Sequence, residues 1–358
     1  MVLEKLLLYG GETIKKIRKI LLYSGAVIIL LVGLAIIFPT WTPKIEGPNS
    51  ISVLEQVEIN GTGHELMVRG QDKSNPIVIF VHGGPGVPEI PYATKYQDLL
   101  EKDFTVVRYD QRASGKSYHF GEDYSNLSTD LLVEDLLALT DYISARFEQQ
   151  KVILIGHSFG TYIGIQAAQQ APDKYEAYIG IGQMSNVLDS EWDGLNYVIE
   201  QAKQSGNTTD LQYLQGLTEK VRNGDMLMPR HYVRKYGGAA RLIDPNADME
   251  KGLWFGPEYN LLDRIRYNRG AAYSQDILIQ QAIAEPLPAI VTKLDLPVYF
   301  IMGQYDYMTS AKSAKAYLDQ IDARSKEFIT YDQSAHYPQF EEKETFSNWM
   351  VDSFAKIH

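Results

Sequence analysis

The run Lys151-Val-Ile-Leu-Ile155-Gly156-His157-Ser158-Phe159-Gly160-Thr-Tyr-Ile-Gly-Ile-Gln-Ala-Ala168 decides how this chain is read. Its aliphatic opening fits a buried strand, and the residues after Gly160 fit a helix. Between the two, glycines bracket a serine on a tight turn. A serine in that position projects its hydroxyl above the sheet, and the flanking glycines let neighbouring backbone pass without a side-chain clash. An incidental glycine-rich turn would show the same five letters, but the strand before and the helix after are the context a nucleophile requires.

Outward from this stretch, Ile77 to Val81, Phe104 to Tyr109, Tyr178 to Ile181 and Val298 to Met302 are further short apolar runs separated by helical sequence. Such runs, apolar throughout rather than alternating, predict parallel strands buried on both faces of an α/β sheet. Ile51 to Arg69 instead alternates about Asn60-Gly61 and predicts an antiparallel hairpin that opens the domain. Leu132, Leu136, Leu139, Ile143 and Phe147 line one face of a helix that should pack on the sheet. From 184 to 288 no strand pattern recurs, and a helical cap inserted between two strands is expected there. The core is then 51–183 with 289–358.

A serine nucleophile needs a base, and the base needs an orienting acid. Of the seven histidines, His82 and His157 belong to glycine turns, His64 lies in the hairpin and His358 is terminal. His119 and His231 lack a loop-after-strand setting and read as ordinary structural or surface histidines. His336 follows the last expected strand, Glu327 to Tyr331, and is the candidate base. Asp306 closes Val298-Tyr-Phe-Ile-Met-Gly-Gln-Tyr-Asp306 at the carboxyl end of a strand, where α/β sheets place their ligands. Asp295 precedes that strand and would face the wrong end, while Asp332 is a fallback close to His336. His82-Gly83-Gly84-Pro85-Gly86 also follows a strand, so Gly84 N–H and Phe159 N–H are the candidate oxyanion donors. A phosphate loop is the rival reading of those glycines, but the Gly-Lys-Ser/Thr ending and the dinucleotide spacing are absent. The chemistry so described calls for no metal or organic cofactor.

From Ile20 to Phe38 no residue is charged, and as a helix this run spans roughly 28 Å, about one hydrocarbon thickness. Lys15, Lys16, Arg18 and Lys19 precede it, and Trp41 follows among Pro39, Pro43 and Pro48. The expected layout is a cytoplasmic segment over 1–19, a membrane anchor over 20–38 and a linker over 39–50. By the positive-inside rule the catalytic domain lies outside the cytoplasm. A cleaved secretory signal is the rival, but the run exceeds a usual signal core and no small-x-small site follows. A buried core helix fits poorly, since the run is apolar on every face.

The first forty residues hold five of the 34 Lys and Arg and two of the 45 Asp and Glu, so the remainder carries 29 basic against 43 acidic residues, a net of −14. A body this acidic lacks the footprint that phosphate backbones attract, and a nucleic-acid partner is not expected. With no cysteine, disulfides, thiolate metal sites and cysteine nucleophiles are excluded. At 45% hydrophobic and 22% charged residues, the composition is that of an ordinary globular protein.

Taken together, His82-Gly-Gly-Pro-Gly86, Asp110-Gln-Arg-Ala-Ser-Gly115, the Ser158 turn, Gly303-Gln-Tyr-Asp306 and the His336 loop resemble the proline iminopeptidase-like branch of the α/β-hydrolases, peptidase family S33. The chain order Ser158, Asp306, His336 is also that of α/β-hydrolases. The resemblance implies an α/β-hydrolase fold and a serine that attacks the carbonyl after an N-terminal residue, often proline. It also implies cap glutamates that hold the substrate's free amine, for which Glu191 and Glu200, early in the cap, are the candidates. The turn reads His157-Ser158-Phe159 where the family usually carries Gly-Ser-Trp, and Ala113 stands where a glycine is usual. The expected substrate is therefore a small peptide, with a small ester, cleaved by a carboxylesterase or lipase-like enzyme, as the alternative. A surface protein that keeps the fold without turnover is a third reading, against which every candidate part is present.

Overall fold

The computed structural model describes residues 2–355. Its centre is an eight-stranded sheet in the order β1-β2-β4-β3-β5-β6-β7-β8. The strands are β1 (Ile51–Ile59), β2 (Thr62–Gly70), β3 (Ile77–Val81), β4 (Thr105–Tyr109), β5 (Val152–His157), β6 (Tyr175–Ile181), β7 (Lys293–Gly303) and β8 (Asp322–Tyr331). β1, β2 and β4 pair antiparallel, and every pairing from β4 to β8 is parallel. The Asn60-Gly61 turn joins β1 to β2 with both residues at positive φ, as the tight hairpin requires.

Alternation along the strands divides the core in two. Ile77, Ile79, Val152 and Leu154 face one layer, with Leu132, Leu136 and Ile143 of the helix Thr129–Phe147. Val78, Phe80, Ile153 and Ile155 face the other, with Phe346, Met350 and Phe354 of the helix Lys343–Phe354. This is why the central strands read as continuous apolar runs: both faces are covered.

Two strands begin earlier than hydrophobicity suggests. β7 starts at Lys293 and β8 at Asp322, five residues before Val298 and Glu327 respectively. In the first half of β7, buried Leu294 and Leu296 alternate with exposed Lys293 and Asp295, and β8 is a largely exposed edge strand. Asp295 thus lies inside β7, near its amino end, paired with Lys293 at 2.8 Å.

Between β6 and β7, every element is helical. Leu195, Val198, Leu214, Val221 and Val233 give this insertion a small core of its own. β6 and β7 still pair directly, Tyr178 opposite Val298, so the cap rises from the sheet without interrupting it.

The N-terminal helix, α1 (Val2–Ile37), is a single element. Its Lys15–Ile37 portion is long and apolar enough to cross a membrane, and none of it is buried against the body. The segment expected as a plain linker is instead docked. Trp41 N–H donates to Pro257 O at 3.0 Å, Arg69 Nη1 to Thr42 Oγ1 at 2.7 Å and Lys116 Nζ to Thr40 Oγ1 at 2.8 Å. Arg69 and Lys116 are themselves buried and paired with Glu101 and Glu65.

Candidate active site

Ser158 sits between β5 and the helix Phe159–Gln170 with φ 54° and ψ −124°. A serine at positive φ is strained by about 1–3 kcal/mol, a strain that persists only where surrounding structure enforces it. Here the enforcement is close backbone packing: a Cβ on Gly160 would stand 2.0 Å from Val81 O, and one on Gly156 would stand 2.7 Å from Gly160 O. Ser158 N–H donates to Ile181 O at 2.9 Å, tying the turn to the end of β6. Gly83 passes directly over the serine, where a Cβ would come within 2.7 Å of Ser158 Cβ. Neither Gly84 N–H nor Phe159 N–H has a hydrogen-bond acceptor among the described residues, and both residues line the cavity that Ser158 enters. Phe159 is the first residue of its helix, so its N–H has no partner within the helix.

Asp306 and His336 come together from the carboxyl ends of β7 and β8, with His336 Nδ1 2.8 Å from Asp306 Oδ2. A carboxylate oxygen accepts, so the contact fits His336 Nδ1–H as the donor and Asp306 as the acceptor. Asp306 also accepts from Met308 N–H at 2.9 Å, Thr309 N–H at 3.0 Å and Thr309 Oγ1 at 3.0 Å. These bonds fix the Asp306 side chain in place. The ring of His336 lies over Gly182, where a Cβ would stand 2.8 Å from Cε1. Cap residues clamp both loops: Tyr307 N–H donates to Gly238 O at 3.0 Å, and His336 N–H to Ala239 O at 3.1 Å.

The cavity at Ser158 is small, about 70 Å³, and largely apolar, with Phe159, Met184, Val187, Ile279 and Met308 in its wall. Glu191 and Arg230 are its charged residues. Glu191 is 1% exposed, ion-paired to Arg230 Nη2, and accepts Met228 N–H at 2.6 Å. Glu200 is not part of this site. It is exposed, accepts from Gln204 at 3.1 Å, and lies in a separate groove with Tyr197, Arg241 and the loop of Asp306 and Tyr307, not in the cavity of Ser158. The two glutamates share the helix Val187–Gln204 but are nine residues apart, about two and a half turns, and so point to opposite faces. Among the described residues, no group of three or more His, Asp or Glu is placed to hold a metal ion.

The model for the α/β hydrolase fold matches residues 76–343. The chain belongs to the α/β-hydrolases. The probable aminopeptidase YbaC of Bacillus subtilis (strain 168) is 30% identical over 302 residues, covering 84% of this chain and 95% of that protein. A proline iminopeptidase of Saccharolobus solfataricus is 22% identical over 293 residues, 76% of this chain and 83% of the other. Among solved structures, a membrane phospholipase A shares the fold over 99% of this chain and 100% of its own length, with a TM-score of 0.57 at 16% identity. These relations make the chain a hydrolase similar to aminopeptidases of the proline iminopeptidase type.

This α/β-hydrolase supports its site with a buried charge network that sequence reading missed. Arg108 is fully enclosed in β4, stacked on Phe80 at 4.1 Å, bonded to Gln97 at 2.7 Å and ion-paired to Glu89. Glu89 also receives His157 Nδ1 at 2.7 Å, and His157 Nε2 reaches His336 O at 2.9 Å. The residue before the serine therefore braces the His336 loop. Burial alone would raise the Glu89 carboxyl; the charges of His157 and Arg108 outweigh it and hold it down at about 2. The signal was in Thr105-Val-Val-Arg-Tyr109: an arginine inside a buried strand requires a buried carboxylate. A second brace forms under Gly83, where Gln111 Nε2 donates to His82 O at 2.6 Å and Gln111 N–H to His82 Nε2 at 3.1 Å. Burial pushes His82 down to about 4, so it stays neutral and can accept. Ala113 takes positive φ (59°), and its carbonyl accepts from Ser274 Oγ of the cap at 3.0 Å.

Proposed function

We propose that the chain is a membrane-anchored serine aminopeptidase of the proline iminopeptidase type. His336 Nε2 removes the proton of Ser158 as Oγ bonds to the carbonyl carbon, and Gly84 and Phe159 N–H receive the oxyanion. The C–N bond then breaks, His336 returns the proton to the departing amine, and water, activated by the same histidine, releases the acyl group. Asp306 keeps the imidazole in the required tautomer throughout.

The observation that carries the aminopeptidase reading is the buried Glu191 carboxylate in the cavity of Ser158. An ammonium bound there would take the place of Arg230, whose side chain is 30% exposed and also donates to Met308 O at 3.3 Å. The named relatives support the same class. Ester hydrolysis is the second reading, favoured by the apolar wall and by Arg230 already satisfying Glu191.

α1 is the anchor, crossing the bilayer once with Lys15, Lys16, Arg18 and Lys19 on the cytoplasmic side and the body outside. The deciding assay compares an N-terminal-proline amide reporter, its N-acetylated form and a short-chain ester, using the detergent-solubilised full chain and its Ser158→Ala variant. Serine-dependent cleavage of the free-amine reporter alone is expected. Cleavage of the ester alone assigns the enzyme to the carboxylesterases.

A further inference from the structure

Where α1 ends, the surface of the body is unusual. Phe38, Trp41, Trp254 and Phe255 are all exposed, Phe255 by 85%. The first two follow α1, and the last two end the cap helix Pro245–Phe255. They are brought together by Trp41 N–H on Pro257 O and by Asn260 Nδ2 on Phe38 O at 3.1 Å. An apolar cleft of about 330 Å³ lies between the two strips, with Ala35, Phe38, Leu253 and Leu261 in its wall. Arg264 stacks its guanidinium 3.4 Å from the centre of the Trp254 ring.

We propose that this cap face, Trp254 and Phe255 with Trp41, is seated in the headgroup and acyl boundary of the bilayer that α1 crosses. The inference rests on the anchor reading above. Tryptophan favours that boundary because its ring is apolar and its indole N–H can hydrogen-bond, and an exposed phenylalanine beside it adds apolar surface to bury there. Arg264, 18% exposed and paired with Glu250 at 3.1 Å, holds the Trp254 ring in place. The bonds of Thr40, Trp41 and Thr42 with the body make the seat possible: the chain leaving the membrane is fixed to the core through Lys116 and Arg69 and to the cap through Pro257 rather than hinged on them. A free linker would let these rings sit at any height.

Seating has a consequence for substrate. The helix Leu261–Ala284 begins at the cleft, and its Ile279 lines the Ser158 cavity. Eighteen residues of helix place the two roughly 27 Å apart along its axis. The serine is thereby kept at a distance from the seated face, as a water-soluble substrate requires.

The chain contains no cysteine, so single substitutions can carry a nitroxide uniquely. Full-length Phe255→Cys, Glu219→Cys and Leu30→Cys proteins, reconstituted in phosphatidylcholine and phosphatidylglycerol vesicles, would be compared for relaxation by oxygen and by an aqueous nickel chelate. The label at 255 should be relaxed preferentially by oxygen, like that at 30, and the label at 219 by nickel. A label at 255 as open to nickel as that at 219 overturns the seat while leaving the anchor intact. Nickel access at position 30, with release of the protein by alkaline carbonate, overturns the anchor and the seat together. Independently, vesicles with brominated acyl chains should quench a tryptophan component that Trp254→Phe removes; unchanged quenching in that variant contradicts the proposal.

Discussion

At the residue scale the proposed chemistry rests on few groups, and each has a distinct failure. Ser158→Ala is expected to lower kcat by at least about 10⁴-fold with KM little changed, measured on whichever reporter the enzyme turns over. Asp306→Asn should preserve the loop but offer an amide where Nδ1–H needs an acceptor, lowering kcat by about 10⁴-fold. Glu89→Gln acts at a distance. It leaves the buried guanidinium of Arg108 without a counter-charge and should destabilise the fold by about 3–5 kcal/mol, seen in denaturant melts. That Ser158, Asp306 and His336 follow the carboxyl ends of β5, β7 and β8 was legible, because each comes after a strand in a sequence context with few alternatives. Glu89 was not, because its partners are 19 and 68 residues away and nothing local marks it. Glu200 was misplaced for a helical reason: closeness in sequence to Glu191 does not put two side chains on one face.

At the element scale the segment after α1 was least legible. Prolines and a composition shift read as a linker, whereas Thr42 finds buried partners in Arg69 and Glu258. Those partners are spread over β2 and the cap, so no local pattern reveals them. Burial raises Glu258 to about 7, with the charges of Arg69 and Lys116 only partly opposing it. A folded-state value above the ordinary 4.5 means that the folded chain binds more protons in between. Its contribution to stability is therefore fully present below about pH 4.5 and lost as the pH rises through about 7. Thermal melts from pH 4.5 to 8 should show a falling component that Glu258→Gln removes; an unchanged slope in the variant contradicts this assignment. The strand ends of β7 and β8 were missed for a simpler reason, since half-exposed edge sequence carries too little hydrophobicity to mark where pairing begins.

At the scale of the whole molecule, the parallel sheet, the opening hairpin and the helical insertion could all be read from the sequence, because buried strands and amphipathic helices impose different periods on it. How the parts are fastened could not. The cap grips the loops of Asp306 and His336 through Gly238 and Ala239, so loosening it should impair turnover as well as binding. Gly238 also leaves no room for a side chain, with Val233 and Tyr197 each 2.9 Å from where a Cβ would stand. Gly238→Val is expected to lower kcat and raise KM together. If α1 is an anchor, the full chain stays with membranes in alkaline carbonate, whereas recovery in the supernatant contradicts it. The most direct test of the central claim is covalent labelling with a fluorophosphonate, whose phosphorus is attacked by an activated serine with loss of fluoride. Intact mass and peptide mapping should find one adduct, on Ser158, that is absent from Ser158→Ala and strongly slowed in His336→Ala. An adduct on another residue, or none on a folded protein, would contradict Ser158 as the nucleophile of this hydrolase.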